Sequence, residues 1–132
     1  MSTRQASALL LTLGLAVGAT QGATVDDLLA AYRSEGAGPF NQAAGERLWS
    51  QEQPGAEGPR ACADCHTTDP RHPGRHAVTG KDIDPLAPSA NPKRLTDRRE
   101  VEKWLGRNCK WTLGRYCTAQ EKGDLLAFLQ SQ

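Results

Sequence analysis

The sequence predicts an all-α fold, four helices joined by loops, one of them long. Three observations carry this. Apolar residues recur at helical spacing in four segments, helix-start residues stand before three of them, and no segment alternates apolar and polar over the length of a strand. The first helix spans Thr24 to Arg33, where Val25, Leu28, Leu29 and Tyr32 fall at i, i+3, i+4 and i+7. Gly36-Ala37-Gly38-Pro39 ends it. Asn41 caps a second helix with Ala44, Leu48 and Trp49 on one side. A Gly/Pro-rich turn from Pro54 to Pro59 follows. Residues 67–96 then hold five of the eight prolines, which predicts a long ordered loop. Loops of this length inside a compact domain are usually functional or wrapped round something. The third helix starts near Asp97, with Glu100 three residues on as in a capping box, and its stripe is Val101, Trp104, Leu105 and Asn108. The last follows the box Thr118-Ala-Gln-Glu121 and buries Leu125, Leu126, Phe128 and Leu129.

The N-terminal stretch stands outside this fold. Arg4 precedes an apolar run from Ala6 to Val17, and small residues continue to Ala23, the pattern of a secretory signal. The run is shorter than the roughly 20 residues a membrane span needs. The expected division is a signal over residues 1–23 and one domain over 24–132, hence a periplasmic protein. Removing the signal removes Arg4 and leaves 15 basic and 15 acidic residues, so no basic excess points to nucleic acid. No second apolar segment suggests a membrane span. The single methionine, Met1, leaves with the signal.

Cys62-Ala-Asp-Cys65-His66 is the strongest chemical motif. Two thiols separated by two residues reach one porphyrin edge as thioethers, and the next histidine then lies at the iron. A zinc site would need four ligands in two close pairs, and Cys109 and Cys117 are too far along the chain for that. A thiol redox pair would follow a strand rather than a Gly/Pro-rich turn. Cys109 and Cys117 are left as an even pair, for which an oxidising compartment makes a disulfide the default and two free thiols the alternative.

Electron-transfer cytochromes usually place Met or His opposite the proximal histidine. The remaining histidines, His72 and His76, follow His66 too closely to wrap easily to the far side. Asn108 closes an apolar stripe, where a buried amide needs a partner. It reads either as a helix C-terminal Asn or as a weak iron ligand. Arg71, Arg75 and Lys81 are candidates to pair with haem propionates, or are solvated loop charges.

The segments Cys62-Ala-Asp-Cys65-His66-Thr-Thr-Asp-Pro70, Pro73-Gly-Arg75-His76-Ala-Val-Thr-Gly80-Lys81 and Pro85-Leu-Ala-Pro88 together resemble the SHP-type (sphaeroides haem protein) monohaem cytochromes c. Val101-Glu-Lys-Trp104, Arg107-Asn108-Cys109, Leu113-Gly-Arg115 and Cys117-Thr-Ala-Gln-Glu121 extend the likeness. It covers the half of the chain after Cys62, and the first 61 residues match more loosely. The resemblance implies a class I cytochrome c fold round one covalent haem c and its iron. Cys62 and Cys65 are then the attachment sites, His66 the proximal ligand and Asn108 an unusual distal one, with a Cys109–Cys117 disulfide beside it. It also implies binding of oxygen and other small molecules, and partnership with a dihaem cytochrome c and a membrane cytochrome b. The expected function is electron transfer with a haem that opens on reduction to diatomic ligands such as O2 or NO. The alternatives are a carrier with permanently six-coordinate iron or a peroxide- or oxygen-reducing protein, although no distal acid–base pair is evident for the latter.

Overall fold

In the computed structural model, which describes residues 19–132, the chain forms five helices and one minimal hairpin. The helices are α1 (Ala19–Ser34), α2 (Gln42–Ser50), α3 (Ala63–His66), α4 (Arg98–Leu113) and α5 (Ala119–Gln130). Strands β1 (Gly74–Arg75) and β2 (Asp82–Ile83) pair antiparallel, with Gly74 opposite Ile83. The helical character, the four long helices and the long loop agree with the sequence. The one-turn α3 and the hairpin were not expected, because four- and two-residue elements are too short to leave a periodic pattern. The apolar run from Ala6 to Val17 lies outside the described residues. Residues 19–23, expected to belong to the signal, continue α1.

The caps form where Asn, Asp and Thr stand. Asn41 Oδ1 accepts from the Ala44 amide. Asp97 accepts from the amides of Arg99 and Glu100. Thr118 and Glu121 complete both halves of a capping box. Glu100 does not complete one, since its carboxylate takes Lys103 and the Trp104 indole instead.

Two apolar clusters share α5. One joins Val25, Leu28, Leu29 and Tyr32 of α1 to Val101 and Leu126, and the other joins Trp49 to Cys109, Leu113, Cys117, Leu125, Phe128 and Leu129. Each fully buried large aliphatic contributes about 1.5–3 kcal/mol, so α5 is where the fold is most sensitive to truncation. Gly45 lets α2 lie directly on α5, because a Cβ there would collide with the Asp124 carbonyl and Phe128. Buried Asp124 is satisfied by the Asn41 amide at 2.7 Å and by Gln120 at 3.0 Å. Tyr32 donates to Glu102 at 2.7 Å and Lys122 donates to its other oxygen at 2.8 Å, tying α1, α4 and α5 together.

Trp104 departs from the expected stripe. It is 45% exposed, with its indole held by Glu100, while Val101 is buried and Leu105 partly so. The inward face of α4 buries Val101, Cys109, Thr112 and Leu113, and half-buried Leu105 and Asn108 lie along its edge at helical spacing.

Candidate functional site

The Cys62–His66 motif forms the single turn α3; its N-cap Cys62 makes no side-chain capping bond, but Asp64 reaches back to accept from the Ala61 amide at 2.8 Å. One helical turn then sets Cys62, Cys65 and His66 on a short rigid element. It ends abruptly at Thr67, whose φ of 63° is rare for a β-branched residue. Two bonds hold that turn: the Trp49 indole donates to the Thr67 carbonyl at 2.8 Å, and the Thr67 hydroxyl donates to the Asp69 carbonyl at 2.6 Å. The long loop packs against α3. Gly74 approaches so closely that a Cβ would collide with the Cys65 carbonyl, and the Ala77 amide donates to Cys65 Sγ at 3.3 Å. The Pro70 carbonyl accepts from Leu86 and Ala87, so the loop is built and ordered.

Cys62 and Cys65 are both unpaired thiols. Burial pushes Cys62 up to about 11, against the effect of a hydrogen bond with Thr112, so the group is a neutral thiol at pH 7. His66 packs beside Trp49, ring centroids 5.5 Å apart. Burial first, then the charges of Arg94 and His76, lower it to about 4 and keep the imidazole neutral. Its Nδ1 is the one buried side-chain nitrogen or oxygen without a hydrogen-bond partner among the described residues. A neutral buried imidazole with an unengaged nitrogen is the form that binds a metal. These features fit a covalently held haem: two free thiols on one turn, a neutral imidazole lacking a partner, and Leu86, Leu95 and Leu105 partly buried nearby.

α4 faces this motif. Thr112 lies beside Cys62, and Asn108 stands one turn before Thr112 on the same side of the helix. Asn108 is half-buried. The Cys109–Cys117 disulfide forms, Cα atoms 5.5 Å apart, directly beside it. The turn before the cysteine motif is also hooked to α4: the Ala56 amide donates to the Trp111 carbonyl at 2.9 Å and the Arg60 guanidinium lies 3.8 Å over the Trp111 ring.

The other candidates are elsewhere engaged. His72 is exposed, 3.5 Å from Asp69. His76 stacks on Trp111, and its Nδ1 accepts from the amides of Val78 and Thr79. Arg71 pairs with Asp69 and Arg75 with Asp82. The sequence reading missed Arg94, which donates to the carbonyls of Pro85 and Asp84 and acts on His66, and it missed Thr112. Lone residues inside a loop or helix carry no motif; only the 108–112 spacing pointed to Thr112. Among the described residues no group of three or more His, Cys, Asp or Glu is placed to hold a metal ion. No described helix is long and apolar enough to cross a membrane.

A family described as a domain of unknown function, DUF1924, matches residues 35–129. The cytochrome c-type protein SHP of Cereibacter sphaeroides is 45% identical over 106 residues, 80% of this chain and 81% of that one. The structure of oxidised SHP, described as an oxygen-binding cytochrome c, superposes with a TM-score of 0.76 at 44% identity, covering 82% of this chain and 96% of that one. Two structures of cytochrome c'' from Methylophilus methylotrophus are similar at 32% identity. The crystal structure of the oxidised protein has a TM-score of 0.73 and covers 83% of this chain and 95% of its own. The solution structure, described as giving insight into haem-ligand detachment, has a TM-score of 0.72 with coverages of 83% and 94%. With this fold, and over this span, the chain belongs to the DUF1924 family and to the SHP-type cytochromes c, whose cofactor is a covalently bound haem c with its iron.

Proposed function

We propose that this is a periplasmic electron-transfer cytochrome whose haem opens on reduction to bind a small diatomic ligand such as O2 or NO. Cys62 and Cys65 hold the haem, His66 is the proximal ligand and Asn108 the distal one. The haem supplies a redox-active iron with an exchangeable sixth position. The observation that carries this reading is the placement of Asn108, half-buried and one turn from the Thr112 that touches Cys62, in a chain whose one methionine is Met1.

An amide oxygen is a hard, neutral, weak donor that suits ferric better than ferrous iron. Asn108 would therefore hold the iron in the oxidised protein and release it in the reduced one, and His66 would remain bound. The relatives support this: SHP is described as oxygen-binding, and cytochrome c'' is described with haem-ligand detachment. Redox partners of the kind the family implies, a dihaem cytochrome c and a membrane cytochrome b, would supply the electron. Export through residues 1–23, leaving 24–132, agrees with the disulfide and with the buried stripe of α1, which begins at Val25.

Spectra of oxidised, reduced and reduced protein under carbon monoxide test the whole reading. A Soret band, rapid carbon monoxide binding and an altered ferric spectrum in Asn108→Val are expected. Asn108→Val with the ferric spectrum and ligand-binding rates of the parent would overturn the role of Asn108. Absence of carbon monoxide binding would identify a plain carrier.

A further inference from the structure

On the side of α4 away from Asn108 the helix carries Arg99, Lys103, Arg107 and Lys110, at spacings of four, four and three. Lys110 follows Asn108 by two residues, about 200° round the helix at about 100° per residue. The two lines therefore stand back to back, one facing the cysteine motif and the other facing solvent.

All four cations are exposed, and only Lys103 has a carboxylate partner among the described residues, Glu100 at 3.0 Å. Glu102, the other acid of α4, is engaged by Lys122 and Tyr32. Arg107 lies 5.1 Å from the Trp104 ring centroid and Lys110 lies 5.2 Å from that of Tyr116. Tyr116 is itself 65% exposed. Between them runs an open groove of about 260 Å³ lined by Glu102, Lys103, Gly106, Arg107, Lys110 and Tyr116. α4 as a whole carries five basic and two acidic side chains, whereas residues 24–132 together are balanced. The positive charge is thus concentrated on this helix and offset elsewhere.

We infer that this outer face of α4 is the docking surface for an acidic protein partner. The stripe from Arg99 to Lys110 spans about 16 Å, longer than one small anion and suited to several carboxylates on a folded surface. The groove over Gly106 admits one acidic side chain between Arg107 and Lys110, with the Tyr116 ring as the aromatic anchor that protein interfaces favour. No large aliphatic side chain is exposed on this face to enter a lipid layer. A docked partner sits against the back of the helix that carries Asn108.

The test uses the haem-loaded protein with a photoreduced acidic flavodoxin as electron donor, at an ionic strength of about 10 mM, where screening reaches only beyond about 30 Å. The double variant Arg107→Glu, Lys110→Glu is compared with Arg33→Glu, Arg47→Glu, which changes net charge equally on other surfaces. The α4 pair is expected to slow bimolecular reduction at least about tenfold and to flatten its salt dependence, against less than about threefold for the control. The neutral pair Arg107→Gln, Lys110→Gln is expected to fall between wild type and the α4 reversal, with an unchanged circular dichroism spectrum. Equal slowing of both charge-reversed proteins, or of neither, overturns the proposal. So does co-sedimentation of the wild type with anionic phospholipid vesicles that the α4 pair abolishes while flavodoxin reduction stays intact. A chain without haem gives no absorbance change in any variant, which separates failure of the haem reading from failure of the docking surface.

Discussion

The walls on either side of the candidate haem site are built differently. The wall carrying His66 is the single turn of α3 with the long loop laid on it, held by close backbone approach: Gly74 against Cys65, Ala77 on Cys65 Sγ, and Trp49 on Thr67. The wall carrying Asn108 is a regular helix fastened at both ends. At its start are the Asp97 cap and the Tyr32–Glu102–Lys122 group, and at its end the disulfide and the Ala56–Trp111 hook. The difference teaches where movement is permitted. A helix tied on both sides of Asn108 cannot rotate as a body, so under the proposed ligation any release of Asn108 would be a side-chain rotation. The loop wall has no such freedom at His66, whose turn is locked at Thr67.

The largest effect that breaks this comparison is removal of the first wall's chemistry. Cys62→Ser with Cys65→Ser should leave no haem attached after denaturation, read from the alkaline pyridine spectrum, while Asn108→Val should leave all of it attached. Next, a methyl group distinguishes the two walls. Gly74→Ala should cost about 3 kcal/mol by forcing the loop off Cys65. Gly106→Ala, whose Cβ would lie 4.0 Å from Tyr116 in mid-helix, should gain about 0.5–1 kcal/mol. Denaturant midpoints of the two variants check both signs. Third, Cys109→Ser with Cys117→Ser should cost about 2.5 kcal/mol by the loop-entropy account. It should also broaden the ferric spectrum if the disulfide restrains Asn108.

The smallest effect concerns the fastening at the start of α4. Tyr32→Phe should cost about 1 kcal/mol in thermal unfolding, since Lys122 still satisfies Glu102. Burial pushes the Glu102 carboxyl up, but the Lys122 and Tyr32 hydrogen bonds outweigh it and hold the group below its ordinary value. A carboxyl lowered in the folded state stabilises the protein above its unfolded value of 4.5 and loses that contribution as pH falls through the folded value. Acid sensitivity in that window should therefore shrink in Glu102→Gln. Tyr32 shows the opposite sign: burial and the Glu102 charge hold its hydroxyl above the phenol range, so its contribution is lost as pH rises.

The sequence made the scaffold legible because its signals are local. Thr118 and Glu121 cap one another, Asn41 caps the next turn, and the stripes of α1 and α5 repeat at helical spacing. The cysteine motif was legible for the same reason, since its chemistry lies within five residues. Long-range geometry was not. Trp104 fits the apolar stripe of α4 as well as Asn108 does, and only the placement of α3 opposite Thr112 selects which line turns inward. Arg94 was illegible because its role depends on a loop that returns to His66 from 28 positions away in the chain. Gly45 and Gly74 matter through the backbone that lies against them, which no neighbouring residue in the sequence announces.

The packing of α1 on α5, through Leu28 and Leu126, joins the two ends of the described chain. The core therefore cannot close until the last dozen residues have been made. Without α5, Trp49 lacks the cover of Phe128 and Leu129, and the turn it holds at Thr67 loses its backing. The C-terminal helix thus completes both clusters at once, so its loss should loosen α1 and the cysteine turn together.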